Sequence, residues 1–579
     1  MAEQIVSPGV FTRENDQSFI ATQPVTVGAS IVGPTVLGPV GIPTVVTSYS
    51  DYLNRFGSTF LSASAVYTYF TSIAAYNYFN NGGQSLLVTR VTTGSFTSAL
   101  SKTNGGGNYI SSSVASASFQ LETLSAGVIM NSTSSEDASG SLASGSKDNI
   151  RWEISQTDTA SGTFTLLIRQ GNDTINQKSV LETWAGLSLD PKAPNYISKI
   201  IGDQTQTVVT SGGSTYLQVI GSYPNKSRWV RVSDVPGKTP DYFDNTGLAK
   251  SQYVGFIPGL GSGSFTAATG TLFVGSPANF YQNINNTNTQ GLIADNYTQS
   301  LALLANKDDY QYNVMIAPGL VRDASNFASH IAPINVVINN ASNRGDNIAV
   351  IDVAKYNETV SNVVSKASAV DSSYAATYWP WLQTIDPDTG ELVWVPASTM
   401  IPSIYAFNDS ISEPWFAPAG LNRGALSTVV RAERKLPQGD RDTLYSGKVN
   451  PIATFPNTGT VVYGQKTLQT KASALDRVNV RRLLIALKGY ISGVSQNLVF
   501  EQNTIATRNQ FLSQINPYLE SVQQRQGLYA FKVVMDDSNN TPDVIDRNQL
   551  VGQIYLQPTK TAEFIILDFN ILPTGATFS

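Results

Sequence analysis

The runs YNVMIAPG (312–319), ASNFASHIAPINVVINNA (324–341) and NIAVIDVA (347–354) decide the fold. The first and third are apolar stretches of strand length bounded by turn residues, and the middle one reads as mostly helical. Strand, helix, strand predicts a parallel sheet covered by helices, because parallel neighbours need a crossover. The first strand is expected to end in its Pro-Gly turn. Upstream, YTQSLALLAN (297–306) reads as helical.

The same grammar returns near the start. VTVGASIVG (25–33) alternates as a strand. SYSDYLNRFG (48–57) is a short helix, with Ser48 or Ser50 as its N-cap and Gly57 to stop it. Val66, Tyr69, Phe70 and Ile73 mark a helix face ending at Asn80-Asn81-Gly82-Gly83, and SLLVTRV (85–91) is a buried strand. Residues 25–95 and 285–400 therefore form one α/β middle domain. At about Gly94 the chain turns dense in Ser, Thr and Gly, with short alternating runs such as RWEISQ (151–156) and GTFTLLIRQ (162–170), until roughly Ser276. This predicts an inserted β-rich domain, or a pair, over 96–284, with a helix and a docked turn inside VLETWAGLSLDPKAPNYISKII (180–201). LQTID and ELVWV around Asp388-Thr389-Gly390 form a hairpin, and Tyr378, Trp379 and Trp381 are core residues.

Residues 401–557 read as a C-terminal domain. From Val449 the chain gives turn-punctuated β segments. Two helices and a further strand follow, the first helix with Val480, Leu483, Leu484, Leu487, Ile491, Val494 and Leu498 on one stripe and Arg477, Arg481, Arg482 and Lys488 outside it. Pro517 is expected to kink or divide the second. The cation cluster is either a solvated face or a docking strip for an acidic partner. Two terminal segments lack cores of their own. Residues 1–24 carry Val6, Val10, Phe11, Phe19 and Ile20 around Pro8-Gly9, and 558–579 contain AEFIILDF (562–569), whose β propensity suits completing a sheet in its own subunit or a neighbour's.

Chemistry is sparse. The 579 residues carry a net charge of −5 with 14% charged side chains, which argues against a nucleic-acid footprint. With no Cys there is no thiolate chemistry, and with a single histidine, His330, a zinc site would have to be mostly carboxylate. No metal or cofactor is expected. No GxSxG elbow accompanies His330, although a Ser-His-Asp triad is not excluded by counting. GKT (237–239) fails as a phosphate loop because position 232 is Val, and Gly259, Gly261 and Gly263 read as a flexible loop. Asp352 ends a strand where α/β sheets bind ligands, or else caps the following turn. The start MAEQIVSPGVFTRE lacks a secretory pattern and no window is long and apolar enough to span a membrane, so a protein folded in the cytoplasm is expected.

Several segments in order are similar to contractile tail sheath proteins of myoviruses and contractile injection systems. They are IVSPGVFTRE, LGPVGIPTVVTSYSDYLNRFG, YFNNGGQSLLVTRV, RGDNIAVIDV, SSYAATYWPW, FAPAGLNRGAL, VNPIATFPNTGTVVYGQKTL, LDRVNVRRLL, NNTPDVIDRNQL and TAEFIILDF. Region 96–280 resembles the family only loosely. The resemblance implies a non-enzymatic virion subunit, stacked as hexameric rings around an inner tail tube and contacting baseplate and terminator proteins, without direct nucleic-acid or membrane contact. It implies a subtilisin-like middle that is not a protease, outward-facing insertions, and a C-terminal domain facing the tube, which would place Arg477, Arg481, Arg482 and Lys488 there. It also implies terminal arms that exchange strands between subunits, carried here by Ile5, Val6, Val10 and Phe11 and by Glu563, Phe564, Ile565, Ile566, Leu567 and Phe569. A subtilisin-like hydrolase and a β-rich adhesin or shell protein are the alternatives.

Overall fold

The computed structural model describes residues 27–563, apart from 63, 104–106, 113–115, 134, 273 and 457. At its centre an eight-stranded mixed sheet gathers strands from distant parts of the chain. These are β1 (Val27–Gly33), β2 (Thr44–Val46), β3 (Leu86–Arg90), β4 (Tyr312–Val321), β5 (Ile348–Asp352), β6 (Ala375–Trp379), β7 (Asn450–Phe455) and β8 (Gly459–Val462), in the order β2-β3-β1-β4-β5-β6-β7-β8. The run from β3 to β7 is parallel and the two edge strands pair antiparallel. A parallel sheet covered on both faces needs strands apolar throughout, and every residue of β3, β5 and β6 is buried.

Alternate residues feed two separate cores. Ile31, Val88 and Val350 pack with α2 (Phe70–Asn80) and α4 (Ile401–Ile411), and Val32, Leu87 and Ile351 pack with α3 (Ile331–Arg344). The short α1 (Tyr49–Phe56) starts where the Ser48 hydroxyl accepts from Asp51 N–H and stops at Gly57, whose φ of 68° suits a residue without Cβ. The helix expected from Val66 begins only at Phe70. Val66 belongs instead to a hairpin of Thr59–Ser62 with Ala65–Thr68, where Phe60 and Tyr67 pair across the strands and pack on Phe280. Nor does Pro318-Gly319 end β4. The register with β5 jumps between Ile316 and Val321, so the pair sits in a bulge and the strand resumes.

The insertion folds as an antiparallel sheet over Ser98–Thr103, Ala117–Ala126, Ile150–Asp158, Thr163–Gln170, Val180–Ser188, Val230–Asp234 and Gly261–Thr266. Its own core includes Phe119, Trp152, Phe164 and Leu166. Gly261 and Gly263 are therefore strand residues, not part of a flexible loop. A Cβ on Gly263 would meet the Lys102 carbonyl at 2.2 Å and the Trp152 ring at 2.5 Å, so glycine is there for close packing.

A second difference concerns VNPIATFPNTGTVVYG. Sequence reading groups it with the C-terminal domain of 401–557, whereas β7 extends the main sheet, pairing Asn450 with Tyr378 and Pro451 with Trp379. The remaining C-terminal unit comprises α5 (Val478–Gln496), α6 (Ile505–Gln524), β9 (Leu528–Val534) and β10 (Gln553–Pro558) around Leu483, Leu487, Phe511, Ile515 and Leu519. Pro517 lies inside α6 without dividing it.

Candidate functional site

The carboxyl end of the parallel strands, where an α/β enzyme would work, is filled by the protein's own contacts. Asp352 is buried and accepts the Ser398 N–H at 3.1 Å and its hydroxyl, capping the turn that leads into α4. Burial pushes its carboxyl up to about 6, against the lowering effect of those bonds. His330 is buried beside Phe327, with Nδ1 accepting from Val321 N–H at 3.0 Å, and burial lowers its pKa to about 4. No hydrogen bond joins it to a serine hydroxyl or a carboxylate among the described residues. Nearby, Lys366 bridges Asp323 and Glu358. Burial raises both carboxyls, but the ammonium and neighbouring donors outweigh it and leave each below its ordinary value. The carboxylates are satisfied by Ser398 and Lys366, whereas His330 Nε2 is buried without a partner among the described residues, and together these groups present neither a nucleophile-base pair nor, among the described residues, a cluster able to hold a metal.

The basic residues of α5 do not make a surface strip. Arg481 is 4% exposed, its guanidinium 3.9 Å from the Tyr374 ring centre and its Nε donating to Ser373 O. Arg482 is 5% exposed, paired with Asp409 and lying over Tyr405. Both therefore join α5 to the main domain, which corrects the docking-strip reading for them. The physical reason is that α5 has two buried faces: Leu483 and Leu487 enter the C-terminal core, and Val478 and Ile485 the core of the main sheet. Long cationic stems fit that second junction while their heads find carbonyls, carboxylates and rings. Arg477 is partly exposed and engaged with Asp476 and Glu563, leaving Lys488, on the exposed side near Tyr374 O–H, as the cation open to a partner.

Of the strand-exchange candidates, Ile5, Val6, Val10, Phe11, Phe564, Ile565, Ile566, Leu567 and Phe569 lie outside the described residues. Glu563 accepts from Arg477 Nε at 2.7 Å and NH2 at 3.0 Å and from Gln465 at 3.1 Å. Burial raises its carboxyl, but these donors hold it below the ordinary value. Before it, Thr561 accepts from Asn479 and Thr559 donates to Gln526 O. The segment entering the C-terminal arm is thus fastened first to the turn after α6 and then to the start of α5.

Beyond the two helices sequence reading expects one further strand but does not place the hairpin of β9 and β10. They pair only with each other among the described residues, leaving both outer edges open, and Tyr529 and Tyr555 are 63% and 56% exposed. The alternation of Tyr529, Phe531 and Val533 was the available signal.

Comparison with known proteins follows this division of the chain. The family model for the phage tail sheath protein central domain matches residues 262–468, and that for the phage tail sheath C-terminal domain matches 470–572. The chain is 40% identical to the tail sheath protein of Vibrio phage KVP40 over 218 residues, covering 38% of this chain and 31% of the relative. It is 36% identical to that of Enterobacteria phage T4 over 223 residues, covering 38% and 33%. It thus spans about a third of the length of these relatives. The helical sheath of the anti-feeding prophage in its contracted state aligns with 98% of this chain and 99% of its own, at 15% identity and a TM-score of 0.47.

Proposed function

The chain belongs to the phage tail sheath proteins, and we propose that it is the structural subunit of a contractile tail: it polymerises as stacked hexameric rings around an inner tube and contracts to drive the tube through a target envelope. The observation that carries this reading is the pair of matched sheath domains, which meet at residues 468 and 470, where the main sheet gives way to α5. In this reading the parallel core is subtilisin-like in architecture without hydrolytic function, and the engagement of Asp352 with Ser398, away from His330, supports that. The partners are further copies of the chain, the inner tube protein, baseplate and terminator proteins. The place is the virion tail, assembled in the host cytoplasm.

The arms are the intersubunit tethers, with Ile5 to Phe11 and Phe564 to Phe569 as the added strands and the open edges of β9 and β10 as their acceptors. Main-chain ladders of this kind keep neighbours linked while the outer surfaces repack. The C-terminal unit faces the tube and contacts it through Lys488. Electron microscopy of the purified full-length protein tests the reading. Striated tubes with a hollow bore are expected, and particles that remain monomeric at concentrations where their arms are intact would overturn it.

A further inference from the structure

In the inserted domain, Thr205–Ser211 and Ser214–Ile220 form a hairpin closed by Gly212 and Gly213, with φ of 60° and 82°. A two-residue loop of this kind is flanked by a hydrogen-bonded pair, here Ser211 and Ser214, and bonding alternates from there. Thr205, Thr207 and Val209 thus bond across the hairpin, whereas Gln206, Val208 and Thr210 turn their N–H and C=O groups outward. The hairpin is a sheet of two strands among the described residues, so that outer edge has no strand beside it.

The edge borders a cleft of about 760 Å³ between the inserted and main domains. Five consecutive residues, Gln204 to Val208, line it. A strand seen face-on would contribute alternate residues only, so this one presents its edge. The outward orientation agrees with the Val208 carbonyl, which takes a long 3.5 Å contact from Gln299 Nε2 on the opposite wall.

The walls are also biased in charge. They carry Arg55, Arg90, Arg228 and Arg231 against Glu122 and Asp295, in a chain whose net charge is −5. Arg90 is fully buried on the carbonyls of Val36, Gly38 and Ala126 and has no carboxylate partner among the described residues. The Arg228 side chain is 61% exposed and only 3.4 Å from the Asp51 carboxylate it shares with Arg55. An open ladder and surplus guanidinium charge select the same occupant: extended backbone to pair with the edge, and carboxylates to meet the arginines. We propose that the cleft receives an extended acidic segment of a partner protein, which adds as a third strand along Gln206 to Thr210 with its acidic side chains toward Arg228.

The test uses the full chain and a fluorescein-labelled hexapeptide of alternating Glu and Val, with its Lys–Val counterpart as control. The acidic peptide is expected to saturate in anisotropy at least about tenfold tighter than the basic one, and to slow hydrogen exchange at the Gln206 and Val208 amides but not at Val209, which is already bonded. Val208→Pro removes an outward N–H and leaves the hairpin ladder intact, as proline is tolerated on an edge. It should weaken the acidic peptide about tenfold or more without moving the thermal midpoint. Arg228→Ala, at an exposed side chain, should weaken it independently should the proline variant prove unstable. Equal binding of the two peptides, no binding of the acidic one up to about 1 mM, protection elsewhere, or unchanged affinity in both variants would each overturn the proposal.

Discussion

Two buried titratable residues at the end of the main sheet pull stability in opposite directions with pH. Asp352 has its folded pKa raised from 3.8 to about 6 by burial, so its contribution is complete below the ordinary value and is lost as pH rises through about 6. With each tenfold change in proton affinity worth about 1.4 kcal/mol, the loss is on the order of 3 kcal/mol. His330, lowered from 6.5 to about 4, contributes above 6.5 and loses that contribution as pH falls toward 4. Asp352→Asn keeps an acceptor for the Ser398 N–H and offers its amide to the Ser398 hydroxyl, yet cannot ionise. Its stability relative to the parent should therefore rise between pH 4 and 6 and stay level above, as read by denaturant unfolding across that range. A constant difference would show that the carboxyl titrates normally. His330→Ala should cost stability through the lost Val321 contact while tube formation persists, as expected of a structural histidine. Sequence placed an acid at the end of this strand, but its partner was not legible. Ser398 lies 46 residues further on and is brought in by the main sheet and the turn before α4.

At the scale of one element, α5 shows why an amphipathic stripe can be read correctly and its other side misjudged. The stripe through Leu483 and Leu487 was legible because a single periodicity marks one buried face. The second face, which carries Arg481 and Arg482 into the main domain, leaves no apolar signature, because guanidinium groups over Tyr374 and Tyr405 do the packing. Arg481→Glu would bury a carboxylate against a tyrosine ring and the Ser373 carbonyl. A destabilisation of about 3 kcal/mol or more is expected, seen as a lower denaturation midpoint in the isolated subunit. Lys488→Glu, on the exposed side, should leave that midpoint within about 0.5 kcal/mol and instead weaken co-assembly with the tube protein. Unchanged co-sedimentation would remove Lys488 from the tube contact. The Gly261–Thr266 strand teaches the converse. Its glycines suggested a loop, and the Lys102 carbonyl and Trp152 ring on the neighbouring strands explain the one at Gly263. Gly263→Ala is expected to loosen the inserted sheet, detectable as faster hydrogen exchange in Ile150–Asp158, with little change in the main sheet.

Across the whole molecule, the insertion was legible because composition changes where the chain leaves the main sheet, and the assignment of β7 was not, because its partner β6 lies some seventy residues upstream and pairing over that distance has no local signal. The geometry of the insertion shows how independent it is. Its two connections run side by side, with Thr97 N–H bonded to Thr269 O at 3.1 Å. Its core is nevertheless shared with Phe60, Tyr67 and Tyr69 of the main domain. The C-terminal arm is fastened differently, through Thr559, Thr561 and Glu563, before the segment proposed to reach a neighbour begins. Two truncations separate local fastening from assembly. A chain ending at Glu563 keeps the two-point contact with Arg477 and should match the full subunit in thermal stability. One ending at Pro558 loses that contact and the threonine bonds, and should be less stable by about 1–3 kcal/mol. Both lack Phe564 to Phe569 and should stay as soluble subunits under conditions where the full chain forms tubes in electron micrographs. If the chain ending at Glu563 still builds long tubes, the fastening is sound but the C-terminal arm is no tether, and cohesion must come from the N-terminal arm and the contacts between folded bodies.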